Sequence, residues 1–368
     1  MNEEKIYSDF MQWLEGSWYG LPEPEHAIAL VKARYSPEDA EFLTGVPYTP
    51  SSLEELARLK GIDAAAAEAK LDALARKGLV FNMVRDGRKY FALNDIFMQV
   101  RTFGWPGRDD EASREIAVQG NKYWEKGFLS PWMRTTHVGL RVIPINEKVE
   151  DPRTFVPYEA LSEIIDKFEY HTVSNCPCRH LKNLDPAYPD SKYPVEVCLH
   201  FDRLGRYIVE HGMGREITPA ETREILKKSA DAGLVHSISN QQDKPDTICN
   251  CDRDYCMWFT LRHKLGHSMS VSPSSYIAKN SAEKCAGCGL CVKRCPMNAL
   301  SLMEVPGAQN ETGKAAVLNE KDCIGCGVCA HKCKSGSLTL VQRPVTTEPL
   351  KTGRDFAMAA WKDFRNAR

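Results

Sequence analysis

A chain of 368 residues, 43% of them hydrophobic, has apolar material for two or three buried cores, on a soft figure of about 150 residues per domain. With 48 Lys and Arg against 49 Asp and Glu, its net charge of −1 offers no global basic excess for nucleic acid or an anionic membrane. Fourteen cysteines would suit a secreted disulfide scaffold, but Met1 to Glu15 is a charged amphipathic stretch and no apolar leader, and no apolar run approaches the roughly 18–20 residues of a membrane span.

In that opening stretch Ile6, Phe10, Trp13 and Leu14 fall on one side. Residues 1–110 read as mostly helical. Ser51 and Ser52 precede L-E-E-L-A-R-L-K-G, with Glu54 and Glu55 in the first turn, which predicts a capped helix ending at Gly61. Asp63 opens a second, alanine-rich helix. Phe81 to Leu93 then alternates around Asp86-Gly87, a two-residue hairpin signal. Helix, turn, helix and hairpin together resemble a winged helix. DNA reading is disfavoured, because the second helix presents Ala64 to Ala67, Glu68 and Asp72 where a base-reading helix needs Arg, Asn, Gln or Ser. Between Ser51 and Ala92 eight Lys or Arg meet six Asp or Glu, and only Arg85, Arg88 and Lys89 flank the turn as phosphate contacts. A scaffold or docking module is the expected role.

Thr102 to Asp151 is rich in Trp, Gly and Pro, and Trp105, Trp124 and Trp132 point to a packed aromatic connector. Arg153 to Tyr170 reads as a helix entered at Pro157, with Leu161, Ile164, Ile165 and Phe168 on its apolar face. Three cysteine groups follow: Cys176-Pro-Cys178-Arg-His, Val-Cys198-Leu-His200, and Ile-Cys249-Asn-Cys251 with Cys256 behind it. Between the second and third, Thr218-Pro-Ala-Glu221 caps a helix that ends near Gly233. The expectation is a mainly helical middle domain that brings cysteine-bearing loops together. Six thiols exceed the four that a [4Fe–4S] cluster takes, so a third cluster at Cys176, Cys178, Cys198, Cys249, Cys251 and Cys256 is expected, without a choice of which four. Structural zinc, with His180 and His200 as nitrogen ligands, is the alternative, and a redox-active thiol pair a further one.

From Cys285 to Cys333 the pattern C-x2-C-x2-C-x3-C occurs twice, the second run 38 residues after the first. Three closely spaced thiolates wrap three corners of a cube and the fourth cysteine of each run crosses to the other cube. On that rule Cys285, Cys288, Cys291 and Cys333 hold one [4Fe–4S] cluster, and Cys323, Cys326, Cys329 and Cys295 hold the second. Gly287, Gly289, Gly325 and Gly327 let the backbone turn tightly and aim amides at the sulfurs. Pro296 follows the fourth cysteine of the first run, whereas Lys334 stands at the equivalent place in the second. The segment resembles the two-cluster bacterial ferredoxins, which implies single-electron transfer. From Lys284 to Leu340 there are seven Lys or Arg and four Asp or Glu, where freely diffusing ferredoxins of that family are strongly acidic, so a built-in relay is expected. After Pro344 and Pro349, Gly353 to Arg365 reads as a short tail helix, with Phe356, Ala360 and Phe364 at one spacing beside Trp361.

The order winged-helix-like region, C-x-C-R-H, V-C-L-H-F, I-C-N-C and two-cluster ferredoxin resembles a class of multi-cluster iron–sulfur proteins of anaerobes, whose members carry denser cysteines where this chain has Asp252 and Asp254. The expected architecture is α+β in four parts: a winged-helix-like unit at 1–110, the six-cysteine middle domain at 111–270, a ferredoxin-like unit at 271–343 and the tail at 344–368. The expected function is electron transfer through two or three clusters in a reducing, cytoplasmic setting, serving a redox partner protein or a flavin or metal oxidoreductase subunit. A redox-responsive DNA-binding regulator is the rival reading. A reductase with its substrate at the middle cysteines is another, although no G-x-G-x-x-G or G-x4-G-K-[ST] nucleotide signature occurs.

Overall fold

The computed structural model describes residues 2–133, 135–151, 156–267 and 270–366. Helices and four mainly antiparallel sheets together make an α+β arrangement.

The N-terminal third forms as its local signals dictate. Ser52 and Glu55 exchange side-chain and backbone hydrogen bonds in a capping box at the head of the helix Leu53–Lys60. Gly61 ends that helix with φ 64°, and the Asp63 carboxylate caps the helix Ala64–Arg76. Strand β1 (Ser51–Ser52) pairs with β3 (Arg88–Leu93), which pairs with β2 (Val80–Arg85). Asp86 and Gly87 between β2 and β3 both have positive φ, 51° and 73°, the geometry of a tight hairpin turn. The apolar faces of these helices share one core with Phe10, Leu14, Leu30, Tyr35 and Phe128, and Met257 and Leu261 from far along the chain complete it.

The middle of the chain is rich in helix, as expected, but it also holds a sheet that was not expected. It is organised by a seven-stranded sheet of β4 (Leu140–Val142), β5 (His171–Asn175), β6 (Glu196–Phe201), β7 (Arg215–Ile217), β8 (Val235–Ser239), β9 (Thr247–Cys251) and β10 (Val271–Ser272). The order is β10-β4-β8-β9-β6-β5-β7, antiparallel throughout except for the edge pair β10–β4. These strands are short and buried almost end to end, so they lack the polar–apolar alternation that marks a half-exposed strand. On one face Val197, Leu199, Phe201 and Ile248 pack against Leu161, Ile164, Ile225 and Leu226. Pro219–Ala232 is the helix anticipated, capped by Thr218 and closed by Gly233 at φ 105°. The helix expected from Arg153 is shorter: a 3-10 turn Pro157–Glu159 precedes the helix Leu161–Ile165, and Arg153 lies outside the described residues.

The aromatic connector is packed as expected: Trp105 is fully buried against His200, and Trp124 stacks on Phe128 at 4.3 Å between centroids. The Trp132 side chain lies outside the described residues.

The C-terminal segment has an internal two-fold logic. Strand β11 (Tyr276–Asn280) precedes the first cysteine run and pairs with β14 (Leu338–Gln342), which follows the second; β12 (Leu300–Glu304), after the first run, pairs with β13 (Lys314–Leu318), before the second. The tail helix Gly353–Asn366 does not pack on this segment. It is strapped to the middle sheet, where Gln242 and Asp243 amides donate to the Leu350 and Lys351 carbonyls and Asp363 accepts from Thr136 and His137. The Phe364 side chain lies outside the described residues.

Candidate metal centres

The eight cysteines of the C-terminal runs fall into two groups around the short helices Leu290–Arg294 and Val328–His331. Each helix follows a glycine in the left-handed region, Gly289 at φ 68° and Gly327 at φ 79°. At Gly325, φ 68°, a Cβ would sit 2.1 Å from the Tyr276 carbonyl oxygen, so only glycine lets the second run lie against β11. Cys295, Cys323, Cys326 and Cys329 line one small cavity with Ala278, Leu300, Leu318 and Leu340. The fourth cysteine of the first run thus meets the first three of the second. The Ala299 amide donates to Cys295 Sγ at 3.2 Å. Burial raises the Cys295 and Cys329 thiols and pushes Cys326 up to about 12. Cys333 differs. Burial opposes its ionisation, but the Ser337 and Ser335 hydroxyls, 3.4 and 3.6 Å away, and nearby amides bring it down to about 7. Cys288 is exposed, Cys285 is buried and Cys291 is half-buried.

The six middle cysteines converge on one cavity of about 140 Å³ in front of the sheet. They do not all come from loops. Cys198 lies within β6 and Cys249 and Cys251 within β9, on the face opposite Leu199 and Ile248, while Cys176 and Cys256 cap the helices Pro177–Leu184 and Met257–His263. Sheet alternation and two helix starts therefore do what a loop cluster was expected to do. The six cysteines neighbour one another in the series Cys176–Cys178–Cys256–Cys251–Cys249–Cys198. Neighbouring thiols and burial raise Cys176, Cys251 and Cys198, neighbouring thiols pull Cys249 and Cys256 down, and Cys178 is pushed up to about 12.

The cavity also carries positive charge. Arg179 is 1% exposed and donates from Nη1 to the Asn250 carbonyl at 2.9 Å. Its Nε and Nη2 have no hydrogen-bond partner among the described residues. Burial opposes its charge, but Cys176, Cys251 and Asp252 outweigh burial and raise it. Arg101 lines the same wall, held by Thr247 Oγ1 at 3.2 Å and the Trp105 ring. The buried Arg179 and half-buried Arg101 face six thiols, a donor set that fits an anionic group ligated by thiolates, in which the two free Arg179 N–H directions would find an acceptor. The imidazoles do not join in. His180 bonds the Arg108 carbonyl at 2.8 Å, and His200 is used on both nitrogens, by Ser174 at 2.9 Å and Thr247 at 3.2 Å. Neither lines the cavity, and among the described residues no three His, Cys, Asp or Glu side chains are arranged to hold a single ion. Arg179 was legible as the residue after Cys178; Arg101 and the cavity-lining Phe356 carry no sequence signal that ties them to the cysteines.

One apolar core joins the two regions. Cys249, Cys251 and Cys256 belong to it together with Phe259, Met297, Ile324, Val328 and the cysteines Cys295, Cys323 and Cys326. A second core joins Cys295, Cys323 and Cys329 to Cys291 and Cys333. The Ile145 amide donates to the Cys326 carbonyl at 3.2 Å, and Ser274 to Ile324 at 3.0 Å, so the end of β4 is tied to the second cysteine run.

A family model for the 4Fe-4S dicluster domain matches residues 284–337. The C-terminal segment is thus a ferredoxin-like dicluster domain that binds [4Fe–4S] clusters, whose chemistry is iron–sulfur electron transfer. Among curated proteins, Protein Pixie of Drosophila melanogaster is 47% identical over 38 residues, 10% of this chain, and the match spans only 6% of that protein's length. Among the described residues no helix is long and apolar enough to cross a membrane.

Proposed function

We propose that this chain is an internal electron relay, moving electrons singly between a docking partner and a third cluster at the middle cysteines. Cys285, Cys288, Cys291 and Cys333 hold the outer cluster; Cys323, Cys326, Cys329 and Cys295 hold the inner one. Bound [4Fe–4S] clusters supply one-electron couples whose potentials follow charge, hydrogen bonding and burial. The observation that carries the reading is the pair of shared apolar cores. One holds Cys249, Cys251 and Cys256 with Cys295, Cys323 and Cys326, the other Cys295, Cys323 and Cys329 with Cys291 and Cys333, which supports a row that starts from the exposed Cys288. Arg179 and Arg101 offset the negative charge of the innermost set.

The N-terminal unit, helix–helix–hairpin in the order of a winged helix, serves as scaffold in this reading. Three of its basic side chains are used within the fold: Lys70 and Lys77 reach Asp39, Lys70 also reaches Glu38, and Lys89 meets Glu68 and Asp72, while Arg85 and Arg88 stay exposed at the hairpin turn. That leaves little for phosphate, so a mobility-shift assay with anaerobic protein gives no shift. A sequence-selective shift would transfer the output to DNA. The chain acts as one component of a larger oxidoreductase complex, in a reducing compartment. Anaerobic co-purification from the native host recovers a flavin- or metal-bearing partner; recovery of the chain alone, with its clusters intact, would contradict the complex.

A further inference from the structure

We infer that the six middle cysteines divide four and two: Cys176, Cys178, Cys251 and Cys256 are the cluster ligands, and Cys198 and Cys249 form a dithiol/disulfide couple beside them. This rests on the reading of a [4Fe–4S] cluster at the middle site, because four thiolates satisfy such a cluster and two are left over.

Strand register selects the pair. Strands β6 and β9 are antiparallel, with Leu199 opposite Ile248 and His200 opposite Thr247. One step further on the same register, Cys198 falls opposite Cys249. The Phe201 amide donates to the Asp246 carbonyl at 3.0 Å, which marks Phe201–Asp246 as a hydrogen-bonded pair. Counting by the alternation of an antiparallel ladder, Leu199–Ile248 is hydrogen-bonded and Cys198–Cys249 is not. Directly opposed residues of the non-hydrogen-bonded kind have Cα atoms about 4.5 Å apart, inside the roughly 4.4–6.8 Å window of a disulfide. Both cysteines line the same cavity. Cys249 and Cys251 are a poorer pair, since residues two apart on an extended strand sit at about 6.6 Å or more. Cys176 and Cys178 are separated by Pro177 at the start of a helix.

The remaining four line the same cavity. Cys176, Cys178 and Cys256 lie off the sheet, at the starts of the helices Pro177–Leu184 and Met257–His263, and Cys251 ends β9 beside them. Cys198 and Cys249 sit within strands, where amides serve the ladder. Cys198 is buried and Cys249 half-buried on the cavity wall, whose outer part is apolar: Tyr19, Phe97, Trp258 and Phe356.

The couple supplies two-electron chemistry. Cys249 sulfur attacks one sulfur of a small disulfide admitted to the cavity, breaking that S–S bond and releasing one substrate thiol, which takes a proton. Cys198 sulfur then attacks Cys249 in the mixed disulfide, forming the Cys198–Cys249 bond and releasing the second thiol. Two electrons from a low-potential one-electron donor protein, with two protons from water, restore both thiols.

The test is iron content and thiol mapping on the intact, anaerobically prepared chain. Cys176→Ser, Cys178→Ser, Cys251→Ser and Cys256→Ser each lose about four iron, while Cys198→Ser and Cys249→Ser keep the parent's iron. Acid-quenched alkylation and peptide mapping find a Cys198–Cys249 link after incubation with a small aliphatic disulfide, and two free thiols there after dithionite. Iron loss in Cys198→Ser or Cys249→Ser to match the other four overturns the division but leaves the middle cluster standing. Full iron in all six variants overturns the middle cluster and this inference with it. Full iron in those two variants with no linked peptide overturns the couple alone. About eight iron retained throughout shows that the dicluster domain is folded in every variant.

Discussion

Arg141→Met removes one partner of the most deeply buried ion pair in the molecule's middle, and its cost can be worked from the contacts. Arg141 is 1% exposed and Glu159 0%. Arg141 donates from Nη1 to Glu159 at 2.7 Å, from Nη2 to the Thr347 carbonyl at 2.7 Å, and from Nε to Asn240 at 2.9 Å. Glu159 accepts from the Ser275 amide at 2.9 Å and the Ser275 hydroxyl at 3.1 Å. The pair thus ties β4 to the entry of the dicluster domain and to the tail. Burial already raises the Glu159 pKa against the pull of Ser275 and Arg141. Removing the guanidinium leaves a carboxyl with no counter-charge, which costs about 3–5 kcal/mol for a buried pair broken on one side. The assay is anaerobic denaturant unfolding followed by cluster absorbance and far-ultraviolet dichroism together. Arg141→Met lowers the midpoint, and the double variant Arg141→Met/Glu159→Met recovers part of the loss because the orphaned charge is gone. A single-variant loss below about 1 kcal/mol, or strict additivity in the double, would refute the reasoning.

Three further outcomes follow from the same contacts. Cys295→Ala strips iron from the cluster of Cys323, Cys326 and Cys329 and spares that of Cys285, Cys288 and Cys291; electron paramagnetic resonance showing the reverse would break the crossed pairing. Gly325→Ala drives a methyl into the Tyr276 carbonyl at a positive φ, so the inner cluster is lost or unstable while the outer survives, and a normal two-cluster spectrum would show that β11 can yield. His236, buried against Asn250 at 2.7 Å, has its pKa lowered to about 4 by burial. Its neutral form is favoured in the fold, so its contribution is whole above the unfolded pKa of about 6.5 and fades as pH falls towards 4, on the order of 3 kcal/mol. His236→Gln flattens unfolding free energy against pH across that window; an unchanged acid branch would remove His236 from the account.

The dicluster runs were legible because a cube dictates cysteine spacing and glycine placement within a dozen residues, and the structure gathers Cys295 with Cys323, Cys326 and Cys329. The caps at Ser52, Asp63 and Thr218 and the Asp86-Gly87 turn were legible for the same reason: each is local chemistry. The middle sheet was hidden. His171, Thr172 and Ser174 are buried polar residues within a strand, so β5 shows no hydrophobic period. The cysteines of β6 and β9 read as metal-loop motifs because nothing local reveals that Cys198 and Cys249 lie opposite each other. Their partnership depends on register across some fifty residues, which no window of sequence contains. The pairing of Phe356 with the cavity is of the same kind, set by how the tail is strapped to Gln242 and Asp243.

The central claim, a row of three clusters ending at the middle cysteines, is tested most directly by iron and acid-labile sulfide per chain in anaerobically reconstituted protein. The account predicts about twelve of each, four per cluster, falling to about eight in Cys256→Ser. About eight of each in the parent, unchanged by Cys256→Ser, would confine the electron path to the dicluster domain and contradict it.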